Sequence, residues 1–152
     1  MIASQAIDRG SIPRVRTRLK INLLYMDLQE VKNEDGKSGS PVLPIGMKNY
    51  LIDIDGTVCE DIPNEEPERF VTAYELPGAR DFVNNLYDAG HIVTFFTSRK
   101  EDHREATENW LIVHGFKYHG IVFGKPRGGN YVWIDNADLE AIQYKGEFEG
   151  LI

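Results

Sequence analysis

Short apolar runs, bounded by polar residues and glycines, recur along the chain from residue 47 onward. Four such runs, at residues 50–54, 92–96, 120–123 and 131–134, are mostly apolar rather than alternating. Each has the length of a strand, and strands without polar alternation are typical of a sheet that is covered on both faces. The pattern therefore predicts four buried strands.

Helical periodicity lies between these runs. Apolar residues recur at helical spacing over residues 79–86, between Pro77 and Gly90, which predicts one helix. Residues 101–114 are first polar and then apolar and predict a second helix. A short last helix is predicted around residues 139–143. Strands that alternate with helices predict an α/β domain with a short parallel sheet and helices on both faces.

Chemically active residues lie at the ends of the predicted strands or just after them, at the sheet edge where ligands bind in such folds. In chain order they are Asp53 and Asp55, Thr97 and Ser98, Lys125, and Asp135. Each alone has an ordinary explanation as a turn, a helix cap or a solvated side chain. Carboxylates that converge beside a lysine repel one another unless a cation lies between them, and Mg²⁺ prefers such oxygen ligands.

The chain has DIDGTV at residues 53–58, followed in order by Thr97, Lys125 and Asp135, each in its strand context. This series resembles the four motifs of the haloacid dehalogenase (HAD) superfamily. The resemblance covers roughly residues 49–140. It implies a three-layer Rossmann-like core, and the sequence around the later motifs is most similar to small capless phosphatase-like members.

The resemblance implies a phosphomonoester hydrolase that works through an aspartyl phosphate on a small phosphorylated substrate, such as a sugar phosphate. Asp53 would be the nucleophile, and Asp55 the general acid and base. Thr97, Ser98 and Lys125 would bind the substrate phosphate.

The resemblance also implies Mg²⁺, held by Asp53, the backbone carbonyl of Asp55, and Asp135. Many members have a second acid directly after the last aspartate, where this chain has Asn136. Asp138 is the nearby carboxylate that could supply the missing charge.

Neither interval between the motifs has room for a cap domain. Asp53 and Thr97 are 44 positions apart, and Thr97 and Lys125 are 28 apart. An open active site is therefore expected, unless a second copy of the chain covers it in a homo-oligomer. The acidic loop at residues 60–68 is interpreted as a small flap or a solvated turn, and Arg99 as an accessory positive charge near the pocket.

Other function classes stay open. A non-catalytic HAD-like protein that binds phosphate or acts as a scaffold is one alternative. Chains similar to the portion from Met47 sometimes carry the label phosphoheptose isomerase, but DxDGT has no place in the sugar-isomerase fold, so the label would be a name without isomerase chemistry. The order of the motifs disfavours a response-regulator receiver, and the chain has no GxxxxGK[ST] sequence of a P-loop nucleotidase.

The amino-acid composition limits the expected classes of binding partner and the expected cellular compartment. The 152 residues include 17 Lys and Arg against 24 Asp and Glu, a net charge of −7, which argues against a nucleic-acid partner. No apolar run approaches ~18 residues, so no membrane span is expected. Cys59 is the single cysteine and cannot form an internal disulfide, so we predict a cytoplasmic protein.

The first 46 residues differ in charge from the rest. They carry seven basic and five acidic residues, a net charge of +2, whereas residues 47–152 carry a net charge of −9. This change predicts an N-terminal extension (1–46) and a HAD-like catalytic domain (47–152). The extension is interpreted as sequence upstream of a true start at Met47, as a flexible segment, or as a basic arm for targeting or anion binding.

Overall fold

The protein is built around a small parallel sheet in a computed structural model that describes residues 43–152. The sheet contains β1 (Asn49–Ile52), β2 (Ile92–Phe96) and β3 (Gly120–Val122), in the order β1-β2-β3. Both neighbouring pairs are parallel. The predicted α/β class is confirmed, and the sheet is consistent with a Rossmann-like core. Of the predicted extension 1–46, residues 1–42 lie outside the described part of the chain.

Helical segments connect the strands. A 3₁₀ helix (Pro67–Thr72) and α1 (Ala79–Asp88) lie between β1 and β2. A 3₁₀ turn (Glu101–His103) leads into α2 (Arg104–Val113), which lies between β2 and β3. Parallel strands require such crossover connections, because the chain must return to the same end of the sheet before it forms the next strand.

The hydrophobic core lies against one face of the sheet. In the strand register, Tyr50 pairs with Val93 and Ile52 with Phe95, so these side chains share a face. The fully buried Val93 and Phe95 form one cluster with apolar residues of both helices. The helical members of this cluster are Ala79, Val83 and Leu86 of α1 and Trp110 and Leu111 of α2. The helical periodicity that predicted both helices therefore marks their buried faces.

The opposite face of the sheet is more open. Leu51 and Val122 lie on this face, and they are 47% and 46% exposed. Trp133 contacts Phe96 here, with 6.3 Å between ring centroids. The continuously apolar strands predict that helices cover both faces of the sheet. In the described residues, the deepest burial is instead concentrated on the face that carries Val93 and Phe95.

The prediction of a fourth strand at residues 131–134 and of a last helix at residues 139–143 is wrong. No helix or strand occurs after β3 in the described residues, and Val132 and Ile134 are 84% and 91% exposed. A short apolar run becomes a strand when its backbone groups pair with a neighbouring strand. Side-chain contacts hold this part of the chain instead, among them the rings of Phe82 and Phe148 at 4.8 Å.

The interval between β1 and β2 contains a loop, the 3₁₀ helix and α1, so residues 43–152 contain no separate cap domain there. None of the helices in this described part has the length and apolar character needed to span a membrane.

Candidate active site

The carboxyl ends of the three strands surround a cleft of about 390 Å³. Asp53 and Asp55 follow β1, Ser98 follows β2 and Lys125 follows β3, and all four residues line the cleft. The sequence-based expectation that these residues converge is therefore consistent with the described geometry. Their convergence follows from the parallel sheet, since parallel strands end at the same edge.

A tight turn separates the two aspartates of the first motif. Gly56 has a φ of +76°, a left-handed conformation that glycine adopts without a steric penalty. The backbone N–H groups of Thr57 and Val58 donate to the Ile54 carbonyl, at 3.1 and 2.9 Å. Residues two positions apart lie on the same face of an ideal strand, and with this turn both aspartates line the same cleft.

Asp53 forms an ion pair with Lys125. The distance from Lys125 Nζ to Asp53 Oδ1 is 2.6 Å, and the Asp53 side chain remains 39% exposed. Lys125 is fixed by its backbone N–H, which donates to the Thr97 carbonyl at 2.9 Å. Its ammonium group also lies 5.7 Å from the centre of the Phe96 ring. The Asp53 carboxylate is therefore more accessible than that of Asp55, whose side chain is 12% exposed.

Asp55 is held differently, by a bidentate ion pair with Arg99. Arg99 Nε donates to Asp55 Oδ2 at 2.9 Å, and Nη2 donates to Oδ1 at 2.7 Å. The Asp55 side chain is 12% exposed and the Arg99 side chain is 0% exposed. Arg99 is not among the residues that line the cleft. Arg99, which was predicted to be an accessory positive charge near the pocket, therefore forms an ion pair with Asp55 from behind the wall of the cleft.

Thr97 and Ser98 have different positions. Thr97 is fully buried, and its hydroxyl oxygen accepts the Arg99 backbone N–H at 3.1 Å. Ser98 lines the cleft, and its carbonyl accepts a hydrogen bond from Asn64 Nδ2 at 2.7 Å. In the described structure, the Thr97 hydroxyl orders the loop after β2, whereas Ser98 forms part of the cleft wall.

The acidic loop at residues 60–68 forms one wall of the cleft. Asp61 and Asn64 line it. Glu65 forms a bidentate ion pair with Arg127, with distances of 2.7 and 3.1 Å between guanidinium nitrogens and carboxylate oxygens. This pair connects the loop to the segment after β3. It lowers the pKa of Glu65 through the hydrogen bond from Arg127.

The last predicted motif lies apart from the cleft. Asp135 is exposed, and its carboxylate accepts hydrogen bonds from the Ala137 backbone N–H at 3.1 Å and the Trp133 indole at 3.2 Å. These bonds lower the pKa of Asp135, the Ala137 bond most strongly. Asn136 and Asp138 are also exposed. None of the three lines the cleft, because residues 131–134 do not extend the sheet and so do not carry Asp135 to its edge.

The implied Mg²⁺ ligand set is consequently not assembled in the described arrangement. Asp53 is paired with Lys125, and Asp135 lies outside the cleft. Within residues 43–152, no group of three His, Cys, Asp or Glu side chains could hold a metal ion. This donor set does not fit Mg²⁺ in the described arrangement.

Sequence reasoning did not identify the partners that surround Arg99. Thr107 of α2 and Phe70 of the 3₁₀ helix both contact its guanidinium group, and no motif marks either residue. Cys59 also lies against it, at 3.6 Å from Nη2. Burial raises the pKa of the Cys59 thiol to about 12, so this thiol stays protonated at neutral pH and is a poor nucleophile.

Comparisons with known proteins assign no family to this chain. No protein-family profile matches it. Membrane-associated phosphatidylinositol transfer protein 3, from Mus musculus and from Homo sapiens, is 29% identical over 82 residues, which are 54% of this chain and 8% of each of those proteins. The chain thus spans less than a tenth of the curated relatives it matches.

One solved structure that resembles the chain is titled "Structure of Pnkp1/Rnl/Hen1 complex". The superposition has a TM-score of 0.46 and 18% sequence identity, and it covers 70% of this chain and 40% of the other. The chain itself forms a small α/β domain with a three-stranded parallel sheet.

Proposed function

We propose that this chain is a phosphomonoester hydrolase in which Asp53 forms a covalent aspartyl phosphate. The observation that carries the proposal is the 2.6 Å ion pair between Lys125 Nζ and Asp53 Oδ1 in an open cleft. A carboxylate that remains exposed can reach the phosphorus of an incoming ester. The ammonium group beside it offsets the repulsion between the carboxylate and the phosphate oxygens.

The proposed reaction has two steps. In the first, an oxygen of Asp53 bonds to phosphorus and the bond from phosphorus to the leaving oxygen breaks. Asp55, which takes up a proton from solvent before this step, gives that proton to the leaving oxygen. In the second, water attacks the aspartyl phosphate and passes a proton to Asp55, and the bond from phosphorus to Asp53 breaks. Both carboxyl groups return to their starting states. A positioned acid and base contributes about 10²–10⁴-fold.

The substrate in this proposal is a small phosphorylated compound, with a sugar phosphate as the class that the sequence resemblance favours. The cleft volume of about 390 Å³ lies in the range of small-molecule sites. Lys125 and Ser98 line the cleft and are the proposed phosphate contacts. Thr97 acts indirectly, because its hydroxyl accepts the backbone N–H of Arg99 and so orders the loop that presents Ser98.

Mg²⁺ dependence stays a prediction of the sequence resemblance. The two metal-site residues beside the cleft are Asp53 and Asp55, and Asp135 would have to leave its local turn to join them. The phosphatase assay therefore includes both added Mg²⁺ and a chelator. Loss of turnover with the chelator would support the sequence prediction, and unchanged turnover would agree with the donor set of the described structure.

A non-catalytic phosphate-binding protein is the second candidate, and one observation favours it. Both oxygens of Asp55 accept hydrogen bonds from Arg99, so the proposed acid and base is already engaged. A binding protein would take up phosphate or a phosphate ester at Lys125 without turning it over.

The test is a panel of phosphate monoesters, assayed for phosphate release by the full chain and by Asp53→Asn. We expect the wild type to hydrolyse at least one ester and the variant to lose at least about 10³-fold in rate, because the nucleophile is removed. Acid-quenched wild type should carry a covalent phosphate that hydroxylamine releases, since acyl phosphates react with that nucleophile.

Asp81→Asn is the matched control, since it makes the same chemical change at an exposed position of α1. It should keep wild-type activity, and both variants should show the wild-type circular dichroism spectrum. Hydrolysis that persists at the wild-type rate in Asp53→Asn would refute the proposed nucleophile. Phosphate binding without turnover of any ester would favour the second candidate.

A further inference from the structure

Arg99 is the largest fully buried side chain in the described part of the molecule, and it carries a charge. A buried charge is costly unless it is paired and its donors are satisfied. Here the pairing is bidentate: Nε and Nη2 donate to the two different oxygens of Asp55, at 2.9 and 2.7 Å. A planar fork of this kind fixes the orientation of a carboxylate, which a single point charge does not.

The remaining contacts fix the guanidinium group itself. Nη1 donates to the Thr107 hydroxyl of α2 at 3.1 Å. The guanidinium carbon lies 3.9 Å from the centre of the Phe70 ring, in the 3₁₀ helix. Two separate elements therefore set the position and the plane of the group before any substrate arrives.

The backbone of Arg99 connects this arrangement to the phosphate side of the cleft. Its N–H donates to the Thr97 hydroxyl at 3.1 Å, and its carbonyl accepts the Gly124 N–H at 2.9 Å. The next residue, Lys125, holds Asp53. Arg99 therefore holds Asp55 through its side chain. Through its backbone it also holds the segment that carries Lys125, the partner of Asp53.

We propose that Arg99 is a positioning residue that aims the Asp55 carboxyl group at the leaving oxygen of the substrate. This inference rests on the proposed function, in which Asp55 exchanges a proton with that oxygen. A carboxylate has about four lone-pair sites, and Arg99 occupies one on each oxygen. The second site on Oδ1 faces the Cys59 thiol, whose sulfur lies 3.7 Å away, so Oδ2 is the oxygen proposed to exchange the proton. Arg99 itself lies behind the wall of the cleft and does not bind the phosphate.

The test compares the wild type, Arg99→Lys and Asp55→Asn on esters whose leaving groups range from nitrophenol to a simple alcohol. Values of kcat/KM report the steps through departure of the leaving group. An alkoxide needs a proton and a nitrophenolate does not, so we expect Arg99→Lys to lose about 10²-fold on alkyl esters and less than about fivefold on nitrophenyl phosphate. The inhibition constant of inorganic phosphate should stay within about twofold of the wild type.

Two results would overturn the inference. An equal loss on all esters, with a weakened inhibition by phosphate, would show that Arg99 contacts the phosphate. An equal loss with unchanged inhibition, together with a lower thermal midpoint, would show a purely structural role. In the Asp55→Asn background, the Lys substitution should cause no further loss on alkyl esters, because positioning acts only through Asp55.

Thr107→Val is a milder second variant in case Arg99→Lys does not fold. It keeps the charge and removes one hydrogen bond to the guanidinium group, so it should reproduce the selective loss on alkyl esters at smaller size. A uniform loss on all esters in this variant would count against positioning.

A measurement that does not depend on hydrolysis tests this inference separately from the proposed function. In the wild type, the Arg99 Nε–H should exchange slowly with solvent by NMR, and Asp55→Asn should make this exchange at least about tenfold faster. If the wild type hydrolyses no ester, the proposed function fails, and this measurement still decides whether Arg99 holds Asp55. Equal exchange in both proteins, or a shift of this resonance on adding inorganic phosphate, would contradict the inference.

Discussion

Two parts of the chain with similar apolar runs have different structures. Residues 49–125 contain all three strands and both helices, and the three strands coincide with three predicted runs. Residues 126–152 contain an apolar run of the same kind but no helix or strand, and Val132 and Ile134 are almost fully exposed. In the first part, each strand lies beside another strand and under helices that bury the same cluster.

An apolar run therefore forms a strand only where neighbouring strands pair with its backbone and other elements cover its side chains. Val93 pairs in register with Tyr50 and lies in the core that α1 and α2 complete. Trp133 instead meets the sheet through a ring contact with Phe96 and stays 54% exposed. The same contrast applies to the site, since Asp53 lies at a strand end and Asp135 in an isolated turn.

The largest expected effect is a contrast in stability between the two parts. Phe95→Ala removes a fully buried ring that contacts Phe116 and Tyr118, and it should lower the free energy of unfolding by about 3–5 kcal/mol. Trp133→Ala removes a larger ring that is 54% exposed, and it should cost less than about 1 kcal/mol. Urea denaturation of both variants measures the difference.

The urea slope of each variant is the internal control, because an unchanged slope shows that the same surface is exposed on unfolding. If Trp133→Ala costs as much as Phe95→Ala, then residues 131–134 are packed in solution. The contrast between the two parts of the chain would then disappear.

The main fold and the centre of the site could be predicted from the sequence for a physical reason. Strand runs, helical periodicity and glycine turns are local signals, and a parallel sheet brings the residues after each strand to one edge. Asp53, Asp55, Ser98 and Lys125 converge on this basis alone. The turn at Gly56 was also readable, because an Asp-Gly pair after an apolar run favours one.

The parts that the sequence did not predict depend on contacts distant in the chain. Arg99 binds an aspartate 44 positions away and stacks on Phe70, and no local pattern reports either partner. The hydroxyl of Thr97 was expected to bind phosphate, but it is buried and accepts the Arg99 N–H. The predicted fourth strand at residues 131–134 does not form. Four apolar residues do not by themselves specify a neighbouring strand for their backbone groups to pair with.

An intermediate effect is expected for Lys125→Met. The substitution removes the ammonium group that pairs with Asp53 at 2.6 Å and is proposed to bind phosphate. A charge-assisted hydrogen bond contributes about 1.5–3 kcal/mol, so the affinity for inorganic phosphate should fall about 10–100-fold. Isothermal titration calorimetry measures this affinity directly.

Lys117→Met is the matched control for this prediction. Lys117 forms an exposed ion pair with Asp88, at 2.8 Å, away from the cleft, and its loss should leave phosphate affinity within about twofold. An equal affinity in Lys125→Met and the wild type would mean that the phosphate site lies elsewhere than the sheet edge.

The smallest effect is expected for Asp135→Asn, and it bears most directly on the difference between the two parts. In the described structure Asp135 is exposed and accepts hydrogen bonds from its own neighbours, Ala137 and Trp133. Activity with saturating Mg²⁺ should therefore stay within about twofold of the wild type, since exposed substitutions away from a site change little. A loss of 10²-fold or more, with a higher Mg²⁺ concentration needed for half-maximal activity, would mean that Asp135 reaches the cleft during turnover. That result would require residues 131–134 to approach β1, and it would join the second part of the chain to the site that the first part forms.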